Sequence, residues 1–278
     1  MFNIQSLIAE RSSNQNGMPL VMGVLNVTPD SFSDGGQFVT EEQYAQQVSE
    51  MVLSGVDIID IGGESTRPGA TKVSLQQELD RVLPVIEWIT TRYDTPISID
   101  TYKPKVMVEA IGRGAVLIND VNALQSEGAI ECALNSGATV CLMHKLGEFS
   151  TMQDAPEYED VVTDVCEFLL ARADLCQQAG MDKNKIILDP GFGFGKTLAH
   201  NSQLFENLGH LTGLGYPLLV GVSRKRMIGE ILNTSVVEDR MIGSVAAAVL
   251  AALKGASIVR VHDVKATVDA LRVTMHLM

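Results

Sequence analysis

Basic charge is scarce in this sequence of 278 residues: Lys and Arg number 21 against 34 Asp and Glu, a formal net charge of -13. A protein that coats nucleic acid or an anionic membrane surface needs a broad basic face. Both classes are therefore excluded, whereas a small anion held in a local basic pocket is not. Cysteine is also sparse. Cys132, Cys141, Cys166 and Cys176 form no Cys-x-x-Cys pair and have no His partner at metal-ligand spacing, so they read as small buried hydrophobes rather than a disulfide frame or a zinc site. Long apolar runs are missing too: the longest, at 245–253, is Ala-rich and far shorter than a membrane span. Residues 1–17 lack a basic start followed by an apolar stretch, so no signal peptide is expected and a reduced, cytoplasmic protein is. No linker or low-complexity stretch divides the chain.

What is present describes an ordinary globular protein, 46% hydrophobic and 20% charged. One pattern recurs: an amphipathic segment, a glycine, then a short run of aliphatic and β-branched residues. Gly55, Gly114, Gly137 and Gly255 each stand directly before such a run, and Gly180 and Gly215 stand a few residues ahead of one. Glycine there fits the position just after a helix, where the backbone takes positive φ at little steric cost. The runs are nearly continuous rather than alternating, as parallel strands buried on both faces require. With 20–25 and 96–99 the strands number eight. Thr40 with Gln43, and Ser74 with Gln77, have capping-box spacing at helix starts. Pro84 inside the second of these helices predicts a kink or a break. The third, fourth and fifth strands follow one another closely, leaving room only for small helices. Eight strand–helix units in about 250 residues point to one (β/α)8 TIM barrel over 1–278, with 1–18 as an N-terminal arm that carries no legible motif.

In such barrels chemistry sits at the C-terminal ends of the strands and in the loops beyond them. Those positions are polar eight times over. Asn26 ends the first strand; Gly62-Gly63-Glu64-Ser65-Thr66-Arg67-Pro68-Gly69 follows the second. Asp100, then Asn119-Asp120, then Met143-His144 end the next three, and Asp189-Pro190-Gly191-Phe192-Gly193-Phe194-Gly195-Lys196 ends the sixth. Ser223-Arg224-Lys225-Arg226 follows the seventh, and the eighth carries Arg260 and His262. Taken singly, each is an ordinary cap or turn residue. Together they converge on one mouth. Asp100, Asn119 and Asp189 are short acceptors suited to a flat heterocycle with several N–H donors, such as the amino-pyrimidine edge of a pterin. Arg67, Arg224, Lys225, Arg226, Arg260 and His262 form a basic island that an anionic ligand group would explain, though Arg224 and Arg226 read equally well as solvated surface charges.

Two patterns carry nothing further. Gly191-x-Gly193-x-Gly195-Lys196 matches neither nucleotide-binding glycine fingerprint and reads as a flexible floor that lets Phe194 reach a flat ligand. His144, His200, His210 and His276 lack metal-ligand spacing and read as surface or packing residues.

The segment Met22-Gly23-Val24-Leu25-Asn26-Val27-Thr28-Pro29-Asp30-Ser31-Phe32-Ser33-Asp34-Gly35-Gly36 resembles the first signature of the dihydropteroate synthases. Asp60-Ile61-Gly62-Gly63-Glu64-Ser65-Thr66-Arg67-Pro68-Gly69 resembles the second. Ser98-Ile99-Asp100-Thr101, Ile118-Asn119-Asp120-Val121, the segment from Asp189 to Lys196, Ser223-Arg224-Lys225 and Arg260-Val261-His262-Asp263 follow in the same order. The resemblance implies condensation of a pterin pyrophosphate with p-aminobenzoate, in folate biosynthesis. It implies pterin binding by Asp100, Asn119, Asp189 and Lys225, with Arg260 against the ring and Met143 nearby. It implies a pyrophosphate site of Asn26, Thr66, Arg67, Arg260 and His262, Asn26 contacting Mg2+, and a p-aminobenzoate pocket of Phe32, Pro68, Phe194, Ser223 and Lys225. Asp100, Lys225 and Arg67 are the expected catalytic residues. The resemblance also implies a homodimer and a sulfonamide target. The rival readings are a pterin-dependent methyltransferase of the same superfamily, which has no use for Ser-Thr-Arg-Pro in the second loop, and a catalytically silent pterin-binding barrel.

Overall fold

A computed structural model of the chain describes residues 3–14, 17–28, 40–65, 72–147, 151–152 and 155–278. Eight strands form one parallel sheet: β1 Leu20–Asn26, β2 Ile58–Gly62, β3 Ile97–Asp100, β4 Leu117–Asp120, β5 Thr139–Met143, β6 Ile186–Asp189, β7 Leu219–Val220 and β8 Ile258–Val261. Their order is β6-β5-β4-β3-β2-β1-β8-β7. A bridge between Leu188 and Leu218, with the Leu188 N–H donating to Pro217 O at 3.0 Å, closes β6 onto β7 and completes the barrel.

Helices wrap the outside. They are α2 Glu41–Leu53, α3 Leu75–Thr90, α4 Pro104–Gly112, α5 Ala129–Ser136, α6 Val161–Gln178, α7 Leu198–Glu206, α8 Leu208–Thr212, α9 Arg226–Leu232, α10 Met241–Leu253 and α11 Val264–Leu277. Both expected capping boxes form, at Thr40 and at Ser74, each of a kind that contributes about 1 kcal/mol to a helix start. Helix α3 runs through Pro84 without a break. Its buried stripe of Val82, Val85, Ile86 and Ile89 holds it against the sheet despite the donor that Pro84 lacks. The helices between β3 and β5 are the small ones expected, 9 and 8 residues long. Gly55 and Gly255, each one residue past the caps Ser54 and Lys254 that end α2 and α10, take φ of 86° and 92°, a conformation only glycine accepts cheaply.

Strand residues alternate between two cores. One face packs under the helices. The other points into the barrel, where Leu20, Met22, Ile58, Leu117, Cys141, Ile187, Leu219 and Ile258 fill the lower half. The N-terminal arm has a clear place here: helix α1, Ile4–Asn14, lays fully buried Ile4 and the flanking Leu7 and Ile8 on this plug. Asp57 ties it down, pairing with Arg11 through one carboxylate oxygen and accepting from Val21 N–H at 2.8 Å through the other.

Candidate functional site

Register decides which side chains reach the mouth. Asp100 on β3 lies level with Gly62 on β2 and Asn119 on β4, and Met143 on β5 lies level with Asp189 on β6. Two residues beyond the apolar plug, the inward face therefore turns polar. Arg260, rising from β8, crosses this floor. Its Nε donates to Asp60 at 2.6 Å and one terminal nitrogen donates to Asp100 at 2.8 Å. The same Asp60 oxygen accepts from Asn119 Nδ2 at 3.1 Å. Two carboxylates hold the guanidinium pKa above its ordinary value against the opposing effect of burial. Burial lifts Asp100 to about 7 even with Arg260 beside it.

Asp189 is buried with one oxygen on Gly191 N–H at 2.7 Å, and burial raises its pKa. Lys225, at the start of α9, donates to Phe192 O at 2.6 Å and lies 4.7 Å from the Phe194 ring centroid. Its surroundings include Asp189, Asp100 and Arg260; burial, with Arg260 adding to it, lowers Lys225 to about 8. Ser223 joins the seventh and eighth strand ends, its Oγ accepting from His262 N–H and meeting His262 Nδ1, both at 3.1 Å. Asn26 ends β1; its side-chain oxygen lies 3.4 Å from where a Cβ on Gly62 would stand, and Asp100 lies 3.7 and 3.8 Å from that point.

The structure thus brings Asn26, Asp100, Asn119, Met143, Asp189, Phe194, Ser223, Lys225, Arg260 and His262 to one end of the barrel. Phe32, Thr66, Arg67 and Pro68 lie outside the described residues. The base of the second loop is nonetheless clear. Glu64 accepts from Val73 N–H at 3.1 Å, and Lys103 Nζ donates to Glu64 at 2.6 Å, to Glu78 at 2.5 Å and to Val73 O at 2.8 Å.

Two open readings are decided, and one expectation needs correction. Arg224 does not join the island: Asp263 takes its guanidinium with two hydrogen bonds of 3.0 and 2.6 Å, and its backbone turns through φ 56°. Arg226 is a solvated charge, its side chain 77% exposed and paired with Glu230 one helical turn on. The glycine segment after β6 is a tightly packed turn rather than a flexible floor. A Cβ at Gly191 would stand 1.8 Å from His144 O, and one at Gly195 would stand 2.4 Å from Leu146 O.

Sequence reasoning missed Asp60 and Lys196. Asp60 is fully buried and holds two mouth residues at once. Its signal was a carboxylate inside an apolar strand at the same parity as Ile58 and Gly62. Lys196, 3% exposed, sits under the β6 turn, and nothing in the spacing marked it.

Comparison with known proteins agrees with this geometry. Residues 22–262 match the family model described as pterin binding enzyme. The dihydropteroate synthase of Escherichia coli K12 is 50% identical over 96% of this chain and 94% of its own length. The Yersinia pestis enzyme, solved with a sulfonamide drug complex, superposes with a TM-score of 0.90 at 52% identity, covering 94% of each chain. The Xanthomonas albilineans enzyme in complex with 7,8-dihydropteroate gives 0.85 at 46% identity, covering 93% of each.

Proposed function

The chain belongs to the pterin-binding enzymes and, within them, to the dihydropteroate synthases, and we propose that its barrel mouth joins a pterin methyl pyrophosphate to p-aminobenzoate with release of pyrophosphate. The observation that carries this reading is the mouth itself. The acceptors Asp100, Asn119 and Asp189 stand on rigid strand ends beside the cations Lys225 and Arg260. A buried carboxylate accepts a pair of N–H donors from an amino-pyrimidine edge, the task we give Asp189. Lys225 and Arg260 then take the ring's oxygen and face, with Met143 against it. Phe194, Ser223 and Lys225 would form the described part of the p-aminobenzoate pocket, completed by Phe32 and Pro68.

Chemistry follows from where charge develops. The methylene C–O bond breaks with its electron pair on the pyrophosphate, which His262, Arg260, Arg67 and Thr66 would hold. The positive charge left on the pterin methylene is stabilised by the Asp100 carboxylate. The aniline nitrogen supplies the lone pair of the new C–N bond and loses its proton afterwards, so no strong base is needed. Among the described residues no group of three or more His, Cys, Asp and Glu offers a metal cage. The single neutral oxygen of Asn26, beside Asp100, instead suits Mg2+ that takes its other ligands from phosphate and water. When bound, the ion would neutralise charge on the leaving group.

Association and location complete the proposal. Ile231 on α9, Ile242 and Leu250 on α10 and Val273 on α11 expose large apolar side chains on neighbouring helices, which supports a homodimer through that side. Four free thiols suit a reducing compartment, and we place the enzyme in the cytoplasm. The test is p-aminobenzoate-dependent pyrophosphate release from the pterin pyrophosphate with Mg2+. Release that ignores p-aminobenzoate, or pterin binding with no turnover, would sink the assignment.

A further inference from the structure

One buried lysine is left unused by the chemistry above. Lys196 Nζ donates to Gly191 O at 2.9 Å and Phe194 O at 3.2 Å and meets His144 Nδ1 at 2.9 Å. Nζ thus meets three acceptors, none of them a carboxylate. Burial pushes both titrating groups toward neutrality: Lys196 falls well below its ordinary value and His144 falls to about 2. A neutral His144 accepts through Nδ1 from a Lys196 Nζ–H, which leaves its proton on Nε2.

The turn above this pair connects it to the mouth. Gly191, Gly193 and Gly195 take φ of 65°, 80° and 64°, so the carbonyls of the turn face different ways. Those of Gly191 and Phe194 meet Lys196, while that of Phe192, between them, meets Lys225 Nζ at 2.6 Å. The Phe192 ring is buried against Phe205, with centroids 5.7 Å apart, and Phe194 presents its ring to Lys225. Secondary ties hold the rest: Gly193 N–H on Asn201 at 2.8 Å and Tyr158 OH on Gly195 O at 2.8 Å.

We propose that Lys196, with His144 as its acceptor, is a positioning residue for this reaction: from beneath, it sets the turn whose Phe192 carbonyl and Phe194 ring place the Lys225 ammonium. The claim deepens the p-aminobenzoate reading of Phe194 and Lys225 and rests on it. Lys225 faces Asp189, Asp100 and Arg260 as well, so those charges are kept constant in the test. Lys196→Met retains length and removes the donors. In the folded variant the Michaelis constant for p-aminobenzoate should rise roughly ten- to hundredfold, because the pocket geometry loosens, while pterin affinity changes far less. Without the Phe192 carbonyl, Lys225 should also titrate at lower pH, read by NMR of reductively methylated lysines and assigned with Lys225→Arg. That titration does not depend on turnover, so it separates failure of this claim from failure of the assigned reaction, which the unmodified enzyme tests alone. Where Lys196→Met does not fold, His144→Leu removes one acceptor and should shift both readouts in the same directions by less. A folded variant with Michaelis constants within about twofold of the parent and an unmoved Lys225 titration would reduce Lys196 to a packing residue and overturn the proposal.

Discussion

The two halves of the barrel interior are built from the same strands, one step apart. Ile58, Leu117, Ile187 and Ile258 belong to the lower plug. Two residues later, on the same inward face and roughly 6.5 Å higher, stand Asp60, Asn119, Asp189 and Arg260. Below, α1 seals a core of aliphatic side chains. Above, buried charges are held by one another, two carboxylates on one guanidinium, and by backbone amides. The lower half needs only volume; the upper half needs partners. Stability and chemistry are thus separated by level within single strands, in keeping with the general division between the two faces of such barrels.

Substitutions at the two levels should fail in different ways. Removing Arg260 is expected to have the largest effect, because Arg260→Met leaves Asp60 and Asp100 buried without their shared cation. Breaking a buried ionic group in this way costs about 3–5 kcal/mol, and turnover should vanish with it. The loss should shrink on acidification below about 7, as Asp100, already lifted there by burial, takes up a proton. Urea unfolding at two pH values measures both, and a cost under about 1 kcal/mol would mean the guanidinium is not what holds the floor together. In the lower half, Leu20→Ala should cost about 3 kcal/mol through the cavity it leaves beside Ile4 and Ile258. Here the surviving folded enzyme should keep its Michaelis constants. If they moved as well, the two levels would not be independent.

How much of this was legible in sequence depended on whether a signal was local. Strand runs and the glycines behind them are local, because parallel strands buried on both faces must be apolar throughout, and all eight strands were found. Direction was harder. Arg224, Lys225 and Arg226 are consecutive cations, yet only Lys225 turns into the mouth; the positive φ of Arg224 and its distant partner Asp263 decide that, and neither shows in a string of residues. Asp60 was readable by strand parity but was absorbed into an apolar run. The arm was readable too: Ile4, Leu7 and Ile8 have the i, i+3, i+4 spacing of an apolar helix face. Lys196 was not, since two carbonyls of a folded turn and a histidine just beyond β5 define it. Phe32, Thr66 and Pro68 rest on resemblance alone, and Arg67 on resemblance and on its place after the second strand.

The smallest expected effect runs opposite in sign to the others and sharpens the comparison most. Lys225 is a cation placed for ligands, and in the free protein burial lowers it to about 8 from an ordinary value of 10.5. The folded state therefore disfavours the charged form that the unfolded chain carries freely. Between pH 8 and 10.5 the unfolded chain binds more protons at this group than the folded one, so its unfavourable contribution is complete below about 8 and fades as the pH rises toward 10.5. Lys225→Met should accordingly stabilise the ligand-free protein at neutral pH, by about 1–2 kcal/mol after allowing for the partial exposure of the mouth and the lost contact to Phe192 O. The gain should decline across that alkaline window while activity stays low throughout. Thermal unfolding of parent and variant from pH 7 to 10.5 is the measurement. A variant less stable than the parent at pH 7 would show that Lys225 supports the fold as well as the ligand, and the division between a stabilising plug and a strained mouth would fail at its best-placed residue.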